Sequence, residues 1–177
     1  YDFFDESFDD RYGGFGKAPK FPTPHHLFYL LRCYQAFKQP DALVMVEKTL
    51  QQMYKGGLFD HIGFGFSRYA TDEQWLIPHF EKMLYDNALL IMAYAETYQA
   101  TGNPLYKKIA EKTITYVNRD LRSAEGAFYC AEDADSEGEE GKFYLWSMDK
   151  VEKILGKKRA AVFFKFYPMT AKGNFEG

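Results

Sequence analysis

The sequence predicts a mainly α fold, an incomplete α/α toroid of antiparallel helical hairpins with a small β-hairpin in a long loop. Three observations predict it. Apolar residues recur at spacings of three and four in paired segments. Proline and glycine punctuate each pair within a few positions. Glycine also stands two residues before phenylalanine at Gly13–Phe15, Gly57–Phe59, Gly126–Phe128 and Gly173–Phe175, in the connections between pairs. Repeated αα-hairpins with a shared connection are how a closed ring of helices reads in one dimension. In such a ring the inner helices and their loops line a central funnel, so the unusual loops are expected to open at one end.

Each element has its own justification. Thr23-Pro24 supplies an N-cap and a proline at the first helical position, and Leu27, Leu30, Leu31, Tyr34 and Phe37 carry the first helix. Pro40 restarts the chain, and Leu43, Val44, Val46, Leu50 and Met53 carry a second, antiparallel helix that Gly56 and Gly57 stop. Beyond a long loop, Pro78 opens a third helix whose stripe is Phe80, Leu84, Ala88, Ile91, Ala95 and Tyr98. Gly102-Asn103-Pro104 then combines a C′ glycine, an N-cap and an N1 proline. The helix that follows runs through Ile109, Thr113, Tyr116, Val117 and Leu121. Period-two patterns at Phe128–Cys130 and Phe143–Leu145 predict the hairpin strands. A short helix begins at Ser147 and passes Val151, Ile154 and Leu155 to Gly156, and a last one covers Ala160 to Tyr167.

With 177 residues the chain can bury one sizeable core, so a single partial domain spanning 1–177 is expected, the first portion of a toroid. It starts at Tyr1 and stops inside Gly-Asn-Phe-Glu-Gly, which reads as another loop opening within something longer. A net charge of -3 and a pI near 5.8 leave no basic face for nucleic acid. No run of about 18 apolar residues predicts a membrane span, and no charged and apolar leader is present. Cys33 and Cys130 are far apart and form no Cys-x-x-Cys pair, so neither a disulfide framework nor a zinc knuckle is supported. Reduced thiols and a cytoplasmic setting are the expectation.

Two loops concentrate the chemistry. Gly56–Asp86 and Gly126–Trp146 mix acids, histidines, aromatics and glycines in a way that no packing rule requires, and loops beyond about 12–15 residues are usually functional or disordered. Aromatic residues make up 19% of the chain and many fall in these loops, as in pockets that handle carbohydrate. Paired carboxylates suit proton transfer on a bound sugar, because crowding raises the pKa of one of them and supplies an acid. Asp60, Glu81, Asp86 and Asp133 are the candidates, with Glu132 and Asp135 crowding the second loop. Proton exchange beside a carbonyl instead wants one or two histidines, for which His61 and His79 are the candidates, His79 as the catalytic group and His61 as a substrate contact. At spacings of three and four, His79, Lys82 and Asp86 are expected to share a helix face, with Glu81 and Tyr85 on the adjoining one. Arg68 and Lys82 can bind an anionic group, or neutralise the loop acids. Tyr69 and Trp75 can stack on a sugar ring, although a tryptophan that pins a long loop is the simpler use. No His-x-x-x-His spacing supports a metal, and no cofactor is expected.

The motifs that carry these residues also have a familiar form. Gly13-Gly-Phe-Gly-Lys-Ala-Pro-Lys-Phe-Pro22, Asp60-His-Ile-Gly-Phe-Gly-Phe-Ser-Arg-Tyr69, Trp75-Leu-Ile-Pro-His-Phe-Glu-Lys-Met-Leu-Tyr-Asp86 and Ala131-Glu-Asp-Ala-Asp-Ser-Glu137 resemble the large thioredoxin-domain-containing proteins of the spermatogenesis-associated type. In that family a thioredoxin-like domain precedes a toroid similar to N-acylglucosamine 2-epimerases and six-hairpin glycosidases. The resemblance therefore implies that this chain is the first part of the toroid, without the thioredoxin-like domain. It brings no assigned reaction. Two readings follow: a carbohydrate-active enzyme of the sugar hydrolase or 2-epimerase type, and a non-catalytic scaffold partnering the thioredoxin-like domain. An incomplete ring is also expected to expose apolar edges and self-associate.

Overall fold

The structure is a computed structural model that describes residues 1–167 and 169–173. Its chain forms two compact units, Tyr1–Asp135 and Ser136–Gly177. Seven α-helices lie among the described residues, with short antiparallel strand pairs between them.

The first unit opens with a short helix α1 (Asp2–Ser7), which the sequence patterns did not predict. Helices α2 (Pro24–Phe37) and α3 (Pro40–Lys55) form the first hairpin, with Lys38 in the left-handed region between them. Helices α4 (Leu84–Thr101) and α5 (Pro104–Tyr116) form the second. Their link works as the sequence predicts: Gly102 at φ 71° donates its N–H to the Tyr98 carbonyl, and the Asn103 side chain accepts from the Leu105 N–H. A π-helical turn, Val117–Leu121, extends α5.

Leu27, Leu30 and Leu31 of α2, Val46, Leu50 and Met53 of α3, Leu90 and Tyr94 of α4, and Tyr106 and Ile109 of α5 are buried in one core. The buried Tyr94 hydroxyl donates to the Leu50 carbonyl at 2.7 Å. The predicted α4 stripe is rotated from the observed one. Its buried residues are Asp86, Asn87, Leu90, Ala93, Tyr94 and Thr97, whereas Leu84, Ile91, Ala95 and Tyr98 are half-buried and Ala88 is exposed. Apolar side chains lie nearly all round this helix, so spacing alone does not say which face turns inward.

The long connection from α3 to α4 is not helical at Pro78. Strand β1 (Tyr69–Ala70) pairs with β2 (Pro78–His79), and β3 (Lys82–Met83) pairs with β4 (Ala131–Glu132), with Lys82 opposite Glu132. Two loops distant in sequence are thereby joined through main chain, and the Leu84 N–H donates to the Cys130 carbonyl at 2.9 Å. Small antiparallel strands therefore appear, but at other residues than expected: Phe128 bridges Arg122 around a turn at Gly126. Phe143 and Tyr144 lie in turns of the second unit. Strands β5 (Asp135–Ser136) and β6 (Glu139–Glu140) fall at and just beyond the junction of the units. The second unit contains α6 (Met148–Leu155), capped by the Ser147 hydroxyl on the Lys150 N–H, and α7 (Lys157–Phe166).

The internal echo is real but differently registered. Phe8 bridges Phe15, and Phe59 bridges Phe66. Between them the loops make the same bonds: the Asp9 N–H donates to the Gly14 carbonyl as Asp60 does to Gly65, and the Gly13 N–H donates to the Asp9 carbonyl as Phe64 does to Asp60. Gly13 and Phe64 share φ 68°, and Gly14 and Gly65 follow at 82° and 80°. Gly57 has no part in this match, and the Phe175 member of the expected echo lies outside the described residues.

Candidate functional site

The candidate side chains fall into two clusters in the first unit. One is closed around Asp60 and Lys82. Asp60 Oδ1 accepts from the Ile62 and Gly63 N–H groups at 2.9 and 2.8 Å, and Oδ2 accepts from Lys82 Nζ at 2.9 Å. Burial would raise the Asp60 carboxyl, but the Lys82 ammonium and the two amides outweigh it and hold the group below the ordinary carboxylate range. Lys82 Nζ also donates to the Phe64 carbonyl and lies 4.7 Å over the Tyr116 ring. The buried Tyr116 hydroxyl donates to Glu132 Oε2 at 2.9 Å. Gly65 is required beneath that ring, since a Cβ there would sit 2.4 Å from Tyr116. Arg119 closes the outside, donating to the Gly63 carbonyl at 2.6 Å and pairing with Asp120.

The other cluster is half-open and lies where β1 and β2 lead into α4. Arg68 is held at two points on Glu81: its main-chain N–H donates to the Glu81 carbonyl at 2.8 Å, and its Nη1 to Glu81 Oε2 at 3.1 Å. Tyr85, half exposed, has its hydroxyl beside both Arg68 and Asp86. Asp86, in the first turn of α4, is only 6% exposed. Burial pushes its carboxyl up to about 6; Arg68 and Tyr85 pull the other way and Glu81 adds to the rise. Two buried polar atoms here, Asp86 Oδ2 and Arg68 Nε, have no hydrogen-bond partner among the described residues. One is an acceptor or acid and the other a donor.

Three rings form a ladder on the β1–β2 pair. Tyr69 lies parallel to His79, its cross-strand partner, with centroids 4.8 Å apart and 12° between planes. Phe21 packs on Tyr69 at 4.7 Å. Tyr69 is thus engaged by two neighbours.

Several sequence-derived roles change. His79 and Lys82 are in strands rather than on a shared helix face with Asp86, because the chain pairs as β2 and β3 before α4 begins. Trp75 is fully buried, with Nε1 donating to the Tyr12 carbonyl at 3.0 Å, so it pins the loop and presents no face to a ligand. Lys82 is likewise buried and already engaged by Asp60. His61 is exposed and packs on Tyr54 and Phe59 at 5.1 and 5.2 Å, away from the ladder's ring contacts. In the second loop only Glu132 joins a cluster, through Tyr116 and β4. Asp133 and Asp135 are exposed, with Asp133 Oδ1 accepting from the Asp135 N–H at 3.0 Å in a local turn. Sequence reasoning missed the part that Tyr116 plays in the closed cluster.

Among the described residues no group of three or more His, Cys, Asp or Glu is placed to hold a metal ion, and no helix is long and apolar enough to cross a membrane. Cys33 is buried and Cys130 exposed, both free.

Comparison with known proteins fits this architecture. Human spermatogenesis-associated protein 20 is 40% identical over 189 aligned residues, covering 96% of this chain and 24% of that protein. The chain thus spans about a quarter of the curated relative it matches. The solved cellobiose 2-epimerase of Spirochaeta thermophila superposes with a TM-score of 0.67 at 19% identity, covering 95% of this chain and 46% of that one. A mannosidase of glycoside hydrolase family 76 from Bacteroides thetaiotaomicron gives 0.53 at 15% identity, covering 82% and 38%. Identities this low show the fold, which is that of an α/α toroid. No family model matches the chain.

Proposed function

We propose that this chain, homologous along nearly its whole length to part of spermatogenesis-associated protein 20, carries a carbohydrate site in which Asp86 exchanges a proton with a bound sugar. The carrying observation is the Asp86 carboxyl: buried, raised to about 6, and with one oxygen unpartnered. Such a group is both acid and base near neutral pH. Glu81, paired to Arg68, supplies a second carboxylate beside it. Paired carboxyl groups are what acid–base chemistry on a sugar uses. A ligand hydroxyl donates to Asp86 Oδ2 and accepts from Arg68 Nε–H, so a polyol satisfies both orphaned atoms. Names of the structural neighbours, which include a 2-epimerase and a mannosidase, agree with a sugar hydrolase or 2-epimerase reading. Soaking with a panel of mono- and disaccharides tests it: sugar hydroxyls on Arg68 and Asp86 support the reading, and failure of every sugar to bind there overturns it.

The scaffold reading draws on the other cluster. Asp60, Lys82, Tyr116 and Glu132 bind one another in a buried network, as a module that holds two loops together for a partner domain requires. If Asp86→Asn leaves every activity of the protein unchanged while Asp60→Ala unfolds it, this second reading is the correct one.

A further inference from the structure

We infer that the sugar this site takes is an amino sugar, whose ammonium group binds Asp86 Oδ2. This rests on the carbohydrate reading and extends it to a substrate class. The ground for it is charge. Three ionisable side chains meet in the half-open cluster, Arg68, Glu81 and Asp86, and only one of them is a cation. The guanidinium of Arg68 already pairs with Glu81 through Nη1 at 3.1 Å. Asp86 is thus the second carboxylate on a single cation, and its buried Oδ2 has no hydrogen-bond partner among the described residues. The fourth member, Tyr85, brings only a hydroxyl. Once Asp86 is ionised, the cluster carries one uncompensated negative charge.

The closed cluster shows what Asp86 lacks. Asp60 has an ammonium of its own, Lys82 Nζ at 2.9 Å, and its carboxyl is held below the ordinary carboxylate range. Asp86 has only a share in the cation of another acid, and burial leaves its carboxyl raised. A ligand hydroxyl donated to Oδ2 satisfies the oxygen but leaves the charge. An ammonium satisfies both, through a charge-assisted bond roughly twice as strong as a neutral one. Because an ammonium accepts nothing, the orphaned Arg68 Nε–H needs a ligand oxygen as well. Amino sugars carry both groups on one molecule, a cation for Asp86 and hydroxyls for Arg68. A sugar carboxylate or phosphate would instead meet an excess of acid and a guanidinium already engaged. The open side of the cluster is the one where Arg68 and Tyr85 are part-exposed.

Calorimetric titration of the protein at neutral pH with glucose, N-acetylglucosamine, glucosamine and galactosamine tests it. The two amino sugars are expected to bind about tenfold more tightly than glucose. N-acetylglucosamine, whose amide carries no charge, should show no such advantage. Asp86→Asn should remove the advantage. Glu81→Gln, which frees Arg68 to neutralise Asp86, should reduce it while the Asp86 carboxylate stays in place. Amino sugars that bind no more tightly than glucose, or whose advantage survives Asp86→Asn, overturn the inference. In that case glucose binding that Arg68→Gln weakens would leave the carbohydrate reading standing without it. Failure of every sugar to bind removes both.

Discussion

The loops Phe8–Phe15 and Phe59–Phe66 solve one problem twice. In each, an aspartate caps its own turn through two main-chain amides, Arg11 and Tyr12 in the first, Ile62 and Gly63 in the second. In each, a buried lysine reaches in from downstream and binds both that aspartate and the carbonyl of the residue before the critical glycine: Lys20 with Asp9 and Gly13, Lys82 with Asp60 and Phe64. An aromatic ring covers the glycine, Trp75 over Gly14 and Tyr116 over Gly65. Asp60 and Lys82 looked in sequence like parts of an active site. Their twins show a fastening that the fold uses wherever a loop of this shape meets a hairpin. What the first loop lacks is the other cluster: four residues beyond Lys82 stands Asp86, and four beyond Lys20 stands Pro24. The copies agree on fastening and differ on chemistry.

If both lysine–aspartate pairs are fastenings, breaking either has the largest effect on stability. Asp60→Ala removes a carboxylate bonded to the buried Lys82 ammonium and is expected to cost about 3–5 kcal/mol, and Asp9→Ala about the same through Lys20. Denaturant unfolding of the two variants checks this, and an Asp60→Ala protein of ordinary stability would break the equivalence. The next largest effect comes from the glycines. Gly14→Ala and Gly65→Ala place a Cβ 2.5 and 2.4 Å from the covering ring at positive φ, for a loss of about 1–3 kcal/mol each. Similar shifts in melting midpoint for the pair would sharpen the comparison.

The hairpins were legible because their signals are local: Gly102-Asn103-Pro104 states a helix end, a cap and a helix start in three residues. The loop repeat was not, because a phenylalanine, Phe64, stands where the first loop has Gly13, and the glycine pattern is broken at the residue that would have aligned it. Composition pointed to these loops, and within them Arg68, Glu81, Tyr85 and Asp86 do gather. The period of three and four misled at His79 and Lys82, since pairing of β3 with β4 depends on residues some fifty positions away that no local pattern records. The burial of Trp75 was hidden for a similar reason: Gly14 and Lys20, on which its ring packs, lie far from it in sequence.

Asp86 offers a smaller effect, of opposite sign. Its folded-state pKa of about 6 lies above the ordinary aspartate value of 3.8, so the folded protein holds that proton more tightly than the unfolded chain does. This group therefore imposes no penalty below about pH 4, and its penalty grows as pH rises to 6 and is complete above it. Asp86→Asn should accordingly stabilise the protein at pH 8, by on the order of 1–2 kcal/mol, and have little effect at pH 4. Unfolding at the two pH values checks the sign. A destabilised variant at pH 8 would return Asp86 to the class of Asp60.

The smallest expected change in stability belongs to Arg68, and it separates the clusters most cleanly. Its side chain is 41% exposed and its ion pair with Glu81 is part-exposed, so Arg68→Gln should alter stability by no more than about 1 kcal/mol. Sugar affinity should nonetheless fall about tenfold, because a donor aimed at the ligand is lost. That combination, a stable fold with weakened binding, is the inverse of what Asp60→Ala should give. A residue that fastens a loop is felt in unfolding, and one that meets a ligand is felt in titration. An Arg68→Gln variant that unfolds readily while binding sugar normally would mean that the half-open cluster, too, exists to hold the chain together.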